Sequence, residues 1–310
     1  MPNHPAKLSS TSLAKLTPGP LALALALAAL GPGCGAQRSE PATKADTSGP
    51  RIASRTVFAD ELLWAFGPEV QGRVVAVSPM ADDPRYSTVE GQWPESIPRL
   101  GLNPEQLLVL APSLVIMASF SAAEYRAAVE DKLEVLLLDD FSSFDGYLLN
   151  VEKIGAAIGE PARAAQIAAR FSARRAKLEA ARPPKEEEPW PTVLSWGHGY
   201  VAGAHTTFDD AVQTAGFTNL AAREGIEGHQ RLDTEQLVVW DPRWLVIGCG
   251  ELGCEAAVSA LAEQPGVRKL AAVREGRVIA IEAPYLSTTG EDMLELSARM
   301  QARLLGAGAP

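Results

Sequence analysis

The chain has 310 residues, of which 46% are hydrophobic and 21% charged, and a net charge of −10. This is the composition of a globular protein rather than a disordered or fibrous one, and the length allows about two domains. An acidic chain with no basic tract excludes nucleic acid as a partner, because phosphate binding needs clustered Lys and Arg.

Lys7 and Lys15 are the only charged side chains before Arg38, and an apolar run from Leu21 to Leu30 leads into Gly31-Pro32-Gly33-Cys34. A positive region, a short apolar core and small residues predict a secretory signal over residues 1–33. The run is too short for a membrane-spanning helix, which needs about 20 residues. Cys34 sits in a context that resembles the lipobox of bacterial lipoproteins, in which cleavage leaves the cysteine at the new N-terminus for lipidation. Gly31 stands where Leu is usual, with Leu30 one step away. Residues 34–50 are polar and rich in small residues and read as a flexible tether. The expected location is periplasmic or extracytoplasmic, with a lipid on Cys34 holding the protein to the membrane. Loss of Lys7 and Lys15 with the leader takes the charge from −10 to about −12.

From residue 51 short apolar runs alternate with helical stretches. Strands are predicted over 51–54, 74–77, 114–117 and 135–138, and helices over 58–66, 104–110, 122–131 and 144–158. Such alternation predicts a parallel sheet covered by helices. Residues 51–160 are read as the N-terminal lobe. Pro161 to Arg182 has no Gly and no Pro beyond its first position, and Ile167, Phe171 and Leu178 share one face. It predicts a helix of roughly 33 Å, stopped by Pro183-Pro184, with 161–183 as a rigid brace. Residues 184–310 repeat the scheme as a C-terminal lobe. Its strands are predicted at 192–195, 245–247 and 278–281, and its helices at 208–215, 234–240, 256–263 and 291–305. The fold class is α/β: two Rossmann-like lobes with parallel sheets joined by a single long backbone helix.

The segment LNPEQLLVLAP, from Leu102, is repeated 130 residues later as LDTEQLVVWDP, from Leu232, with six of eleven positions identical. Each copy feeds an apolar strand. The repeat points to two lobes of common design, each presenting one glutamate, Glu105 or Glu235. A pocket between such lobes follows the preference of ligand sites for domain interfaces. Cys249 and Cys254 lie in GCGELGC and form either a disulfide, as an oxidising compartment allows, or two free thiols. No second Cys pair or spaced His pair accompanies them, which argues against zinc.

Arg51-Ile52-Ala53-Ser54 followed by Asp60-Glu61-Leu62-Leu63-Trp64-Ala65-Phe66-Gly67 resembles the opening of the substrate-binding proteins for iron chelates and cobalamin. In that family Arg-Ile-Val-Ser, Thr-Glu and Ala-Leu-Gly are usual. Leu102 to Met117, Val201-Ala202-Gly203, Ala215 to Asn219 and Ala271 to Val278 continue the resemblance, with Ser113 where Asp is usual. The resemblance implies a ligand held between two α/β lobes joined by a rigid helix. It also implies that Glu105 and Glu235 dock on arginines of an ABC permease, which works with its ATPase. A monomer is expected.

Loops at the carboxyl ends of the strands supply the candidate cleft residues: Arg55, Asp82, Arg85, Tyr86, Trp93, Phe120, Trp196, His198, Tyr200 and Tyr285. The set is aromatic with few charges, which suits a large flat ligand, and Arg55 and Arg85 can pair with an anionic chelate. A ferric siderophore and a corrinoid fit equally, and the choice between them stays open. Haem needs an axial ligand such as His198, Tyr200 or His205. A bare metal ion does not fit, since His198, His205 and His229 all lie in the second half. No cofactor is expected beyond the metal the ligand carries. No catalytic motif is present. Gly197 to Gly203 has the wrong spacing for a dinucleotide loop, and no nucleophile elbow or zinc-protease motif occurs. The other function class open to this fold is a sensory or adhesion lipoprotein.

Overall fold

The computed structural model describes residues 49–121, 123–184, 190–197 and 199–306, all within the compact unit Ala45–Pro310. The leader, Cys34 and His198 lie outside the described residues. Among those described, no helix is long and apolar enough to cross a membrane.

The first half runs β1 (Ile52–Ser54), α1 (Val57–Ala65), α2 (Pro68–Gln71), β2 (Val74–Ala76), α3 (Pro104–Leu110), β3 (Leu114–Ala118), α4 (Ala123–Val129), β4 (Val135–Leu138) and α5 (Phe144–Ala157). Its strands form a parallel sheet in the order β2-β1-β3-β4. Strand β3 is buried along its whole length, as expected of a parallel strand with helices on both faces.

Helix α6 (Pro161–Ala180) follows, about 30 Å long for its 20 residues. Pro161 occupies a first-turn position where the missing N–H costs nothing. The helix ends two residues before the predicted Arg182, whose Nε donates back to the Glu179 carbonyl at 3.0 Å. Ala164, Ile167 and Phe171 form its buried stripe. Its arginines reach both halves. Arg163 donates to the Phe66 carbonyl at 2.5 Å, Arg175 pairs with Asp145 at 3.0 Å, and Arg170 and Arg174 pair with Glu291 and Glu295 at 3.3 and 2.7 Å.

The second half runs β5 (Thr192–Ser195), β6 (Tyr200–Ala202), α7 (Thr207–Ala215), β7 (Thr218–Asn219), α8 (Leu220–Arg223), β8 (His229–Arg231), α9 (Thr234–Trp240), β9 (Trp244–Cys249), α10 (Gly253–Glu263), α11 (Ala271–Arg274), β10 (Val278–Glu282), α12 (Ala283–Ser287) and α13 (Met293–Leu304). A second parallel sheet has the order β10-β9-β5-β7, and β6 and β8 form a separate antiparallel ribbon. This is the α/β class with two four-stranded parallel sheets that the alternating pattern predicts. One hydrophobic cluster runs through both halves, joining Phe58 and Phe144 to Phe171 on α6 and to Val193, Phe208 and Met300 beyond it. Continuous apolar packing of this kind resists relative movement of the two sheets.

Candidate functional site

Among the described residues, two of the cavities that bring the halves together include residues at or beyond the carboxyl ends of parallel strands, the position at which open α/β sheets bind ligands. The first, of about 590 Å³, is lined by Phe120, Asp139 and Phe141 from the first half and by Trp196, Tyr200, His205, Phe208 and His229 from the second. The second, of about 610 Å³, brings Pro84 and Arg85 against the loop Cys249 to Gly253, Glu282 and Pro284. Each is within the size range of small-molecule sites.

The first cavity is dominated by aromatic rings. Phe120 follows β3 and is 77% exposed. Its ring meets Phe141 edge-on at 5.3 Å, and Phe141 meets the core residue Phe58 in the same way at 5.5 Å. The exposed ring is thus fixed to the interior through an aromatic chain. Trp196 is nearly buried in the second-half core and shows the cavity only part of its indole. Tyr200 is 48% exposed. It closes a tight turn by exchanging backbone hydrogen bonds with Gly197 at 2.8 and 3.2 Å, and the Arg231 guanidinium lies 5.5 Å from its ring centroid. His205 has φ of 58°, a left-handed conformation uncommon for a side-chain-bearing residue. It is held there because Ala204 is bonded to the chain at Ile226 and Gly228 while Thr206 caps α7. This backbone places the imidazole on the cavity wall.

The two arginines expected at the cleft are already committed. Arg55 donates to the carbonyls of Leu100 and Gly101 at 2.9 and 2.8 Å and stacks on Tyr125 at 4.1 Å, so it braces the first half and lines neither cavity. Arg85 lines the second cavity but forms a two-point pair with Asp83 at 2.9 and 2.6 Å. The hydrogen bonds from Arg85 bring the Asp83 carboxyl down to about 2. Asp82 is taken by Arg99, which also ties the carbonyls of Trp93, Pro94 and Ile97. Trp93 is 2% exposed and packs edge-on against Trp64 at 5.1 Å. It belongs to the core, because the part of the loop from Trp93 to Ile97 folds inward around Arg99, while Pro84 and Arg85 of the same loop reach the second cavity. Tyr86 carries the Arg85 guanidinium at 5.3 Å and lines neither cavity. Tyr285 packs on the core under Arg299, and its neighbours Leu286 and Ser287 line the cavity in its place.

Cys249 and Cys254 are joined by a disulfide at the edge of the second cavity, and Leu252, at the tip of the intervening loop, is 89% exposed. Deeper between the halves, Glu61 on α1 accepts hydrogen bonds from Thr88 N and Oγ1 at 2.8 and 3.0 Å and, across 227 residues of sequence, from Thr288 Oγ1 at 2.9 Å. Burial pushes its carboxyl up to about 7, against the opposing pull of those hydrogen bonds. Neighbouring Asp60 accepts from Ser78 N and Oγ, and burial raises it to about 6.

A second candidate region lies on the outer surface. Glu105 and Glu235 occupy the same first-turn position of α3 and α9, and both are exposed. The helices are capped alike. Asn103 Oδ1 accepts from the Glu105 N–H at 2.9 Å, and Asp233 Oδ1 accepts from that of Gln236 at 2.7 Å. Both end on a left-handed residue that is not glycine, Ala111 at φ 44° and Asp241 at φ 39°. The internal repeat of the sequence is therefore a repeat of local structure.

A family model described as periplasmic binding protein matches residues 52–285. The chain belongs to the periplasmic binding protein family. This binding protein is 28% identical over 275 residues to a cobalamin-binding protein of Halobacterium salinarum, covering 84% of this chain and 71% of the relative. It is similar to the solved structure of a periplasmic heme-binding protein from Pseudomonas aeruginosa, at 25% identity and a TM-score of 0.69 over 84% of this chain and 95% of that one. A periplasmic vitamin B12-binding protein of Vibrio cholerae shares the fold, with 18% identity and a TM-score of 0.63 over 84% of this chain and 98% of that one.

Four residues of the expected set thus line the binding protein's cavities: Phe120, Trp196, Tyr200 and Arg85. Phe141, Phe208, His229 and Leu252 also line them without having been singled out. Phe141 sits three residues beyond β4, so the strand-end rule that picks out Phe120 applies equally to it. His229 is in the β6–β8 ribbon, whose exposed strand β8 has no alternation of polarity to mark it.

Proposed function

We propose that this is the substrate-binding lipoprotein of an ABC importer and that it captures a corrinoid between its two sheets. The observation that carries the reading is a cavity walled by Phe120, Phe141, Trp196, Tyr200 and Phe208 with no uncommitted guanidinium or ammonium among its described lining residues. Anionic ferric siderophores call for such a cation, and here Arg55 and Arg85 are already spent on carbonyls and on Asp83. A large ligand edged with neutral amides has no need of one, and aromatic rings offer it apolar area at fixed positions. The cobalamin-binding relative supports the same choice.

Titration of the purified protein with cyanocobalamin, a ferric catecholate, a ferric hydroxamate and haemin, followed by tryptophan fluorescence, tests this. Cyanocobalamin is expected to bind at micromolar concentration or tighter. No response to it, with saturation by a siderophore, would refute the corrinoid assignment. Phe120→Ala is expected to weaken corrinoid binding by about tenfold or more, the free energy of covering one aromatic side chain. It should leave the melting temperature of the free protein unchanged, because Phe120 is largely exposed.

Haem is the second reading. It is favoured by two imidazoles, those of His205 and His229, lining one cavity beside the Tyr200 phenol, which are the donor types that bind haem iron. The same titration separates the two readings.

Delivery is assigned to Glu105 and Glu235. Two exposed carboxylates on equivalent helices suit a partner bearing two equivalent cationic points, and complementary charge of this kind sets register and encounter rate. The double charge reversal E105K/E235K is expected to abolish uptake while ligand affinity stays within about twofold of wild type. The lipid on Cys34 belongs to the same reading, and metabolic labelling with a radioactive fatty acid, with Cys34→Ser as control, checks it.

A further inference from the structure

Besides Met80, Tyr86, Leu149 and Leu305, the large apolar side chains exposed among the described residues fall into two groups. Phe120, Tyr200 and Leu252 belong to the cavities, and Leu102, Val109, Val238 and Val239 lie on or beside the two glutamate-bearing helices. Val109 is 86% exposed and Val239 is 75% exposed. They are equivalent positions of the repeat, each four residues after its glutamate and hence on the same helix face. The opposite face of each helix is anchored by Leu107 or Leu237, both fully buried. Each helix therefore turns outward a carboxylate with a β-branched apolar side chain beside it, and α9 adds the less exposed Val238. Single exposed apolar residues are ordinary on a protein surface. The same pair of groups in the same geometry on both halves, with the same capping and the same left-handed terminus, is not a random scatter.

We propose that Val109 and Val239 form the apolar half of a two-point docking surface for the importer's membrane domain. Each valine enters an apolar recess beside the cation that receives the neighbouring glutamate. The inference rests on the docking role assigned above to Glu105 and Glu235, and it specifies the partner further: two equivalent patches, each combining a positive group with an apolar depression. A lipid surface fits less well, because an anionic bilayer repels the carboxylate beside each valine.

The test measures association of the full-length protein with its permease–ATPase complex in nanodiscs, at low and moderate salt. Compared with wild type are V109D/V239D, the isosteric V109T/V239T, E105K/E235K and, as a control at an exposed site elsewhere, Leu149→Ser. Losing one buried valine corresponds to roughly tenfold in affinity per site. V109T/V239T and V109D/V239D are expected to dissociate faster, with the salt dependence of association unchanged in the threonine pair. E105K/E235K is expected to associate more slowly and to lose its salt dependence. All valine variants should keep wild-type ligand affinity and melting temperature, and Leu149→Ser should bind as wild type. Wild-type binding by both valine pairs alongside failure of E105K/E235K would overturn the inference and leave the glutamate docking intact. Wild-type binding by all three pairs would instead remove the docking reading itself. Binding to protein-free nanodiscs that falls in the valine variants would assign the surface to lipid and overturn the proposal.

Discussion

Glu61 shows how much a single buried carboxyl can decide. It is 8% exposed, links α1 to the chain at Thr288, and titrates near 7 because burial penalises its charged form more than three hydrogen bonds favour it. The folded state therefore holds a proton that the unfolded chain has released. Between about pH 4.5 and 7 stability falls as pH rises, by an amount on the order of 3 kcal/mol. Asp60, raised to about 6, adds to the same trend. Glu61→Gln imitates the protonated form: its amide oxygen accepts from Thr88 and its amide nitrogen donates to Thr288 Oγ1. The urea midpoint of E61Q is expected to vary less with pH over this window than that of the wild type, and to exceed it at pH 8. Equal pH dependence in the two proteins would refute the assignment. At this scale the sequence displayed residue types but not their commitments. Arg55, Arg85 and Trp93 have the right chemistry for a cleft. Only the fold reveals that carbonyls of Leu100 and Gly101 hold the first, that Asp83 holds the second, and that Trp64 covers the third.

Among the elements, those marked by a cap or an apolar run were legible and the single-turn helices were not. Helices α3 and α9 begin and end where the Asn103 and Asp233 caps and the apolar spacing place them, and β4 and β5 match their apolar runs residue for residue. The four-residue helices α2, α8 and α11 span one turn, too little for a 3.6-residue period to register. The β6–β8 ribbon escaped because its second strand is exposed throughout. Its pairing sets Tyr200 opposite Arg231 and positions the cavity wall. The paired helix termini carry a measurable cost. Ala111 stands at φ 44°, where a Cβ is disfavoured and glycine is at ease. Ala111→Gly is expected to raise unfolding stability by about 0.5–1 kcal/mol, read from denaturant midpoints. A loss of stability would show that contacts of the Ala111 methyl outweigh the backbone cost.

For the whole molecule, α6 and the shared hydrophobic cluster set the mechanical behaviour. The helix buries Ile167 and Phe171 in a cluster that continues into both sheets, and its arginines hold α1, α5 and α13 through partners on either side. A hinge of flexible strands would permit wide closure, whereas a packed helix does not. Ligand binding is expected to change the radius of gyration by less than about 1 Å in solution scattering. A larger contraction would refute the rigid brace. This architecture was legible early, from the alternation of strands and helices and from a Gly-free stretch between two similar halves. The occupant of the cleft was less legible, because it depends on which side chains remain free after folding.

The matching ends of α3 and α9 carry one more consequence. Two helices with a side-chain oxygen cap, a glutamate and a valine at matching positions and a left-handed terminus expose nearly the same local groups. A symmetrical partner would then meet much the same local groups on either half. On the docking proposed above, these helices would fix where the protein sits far better than which way round it sits. Any preference between the two orientations falls to features present once only, such as Leu102, which is 89% exposed while its counterpart Leu232 is partly buried, and the β6–β8 ribbon.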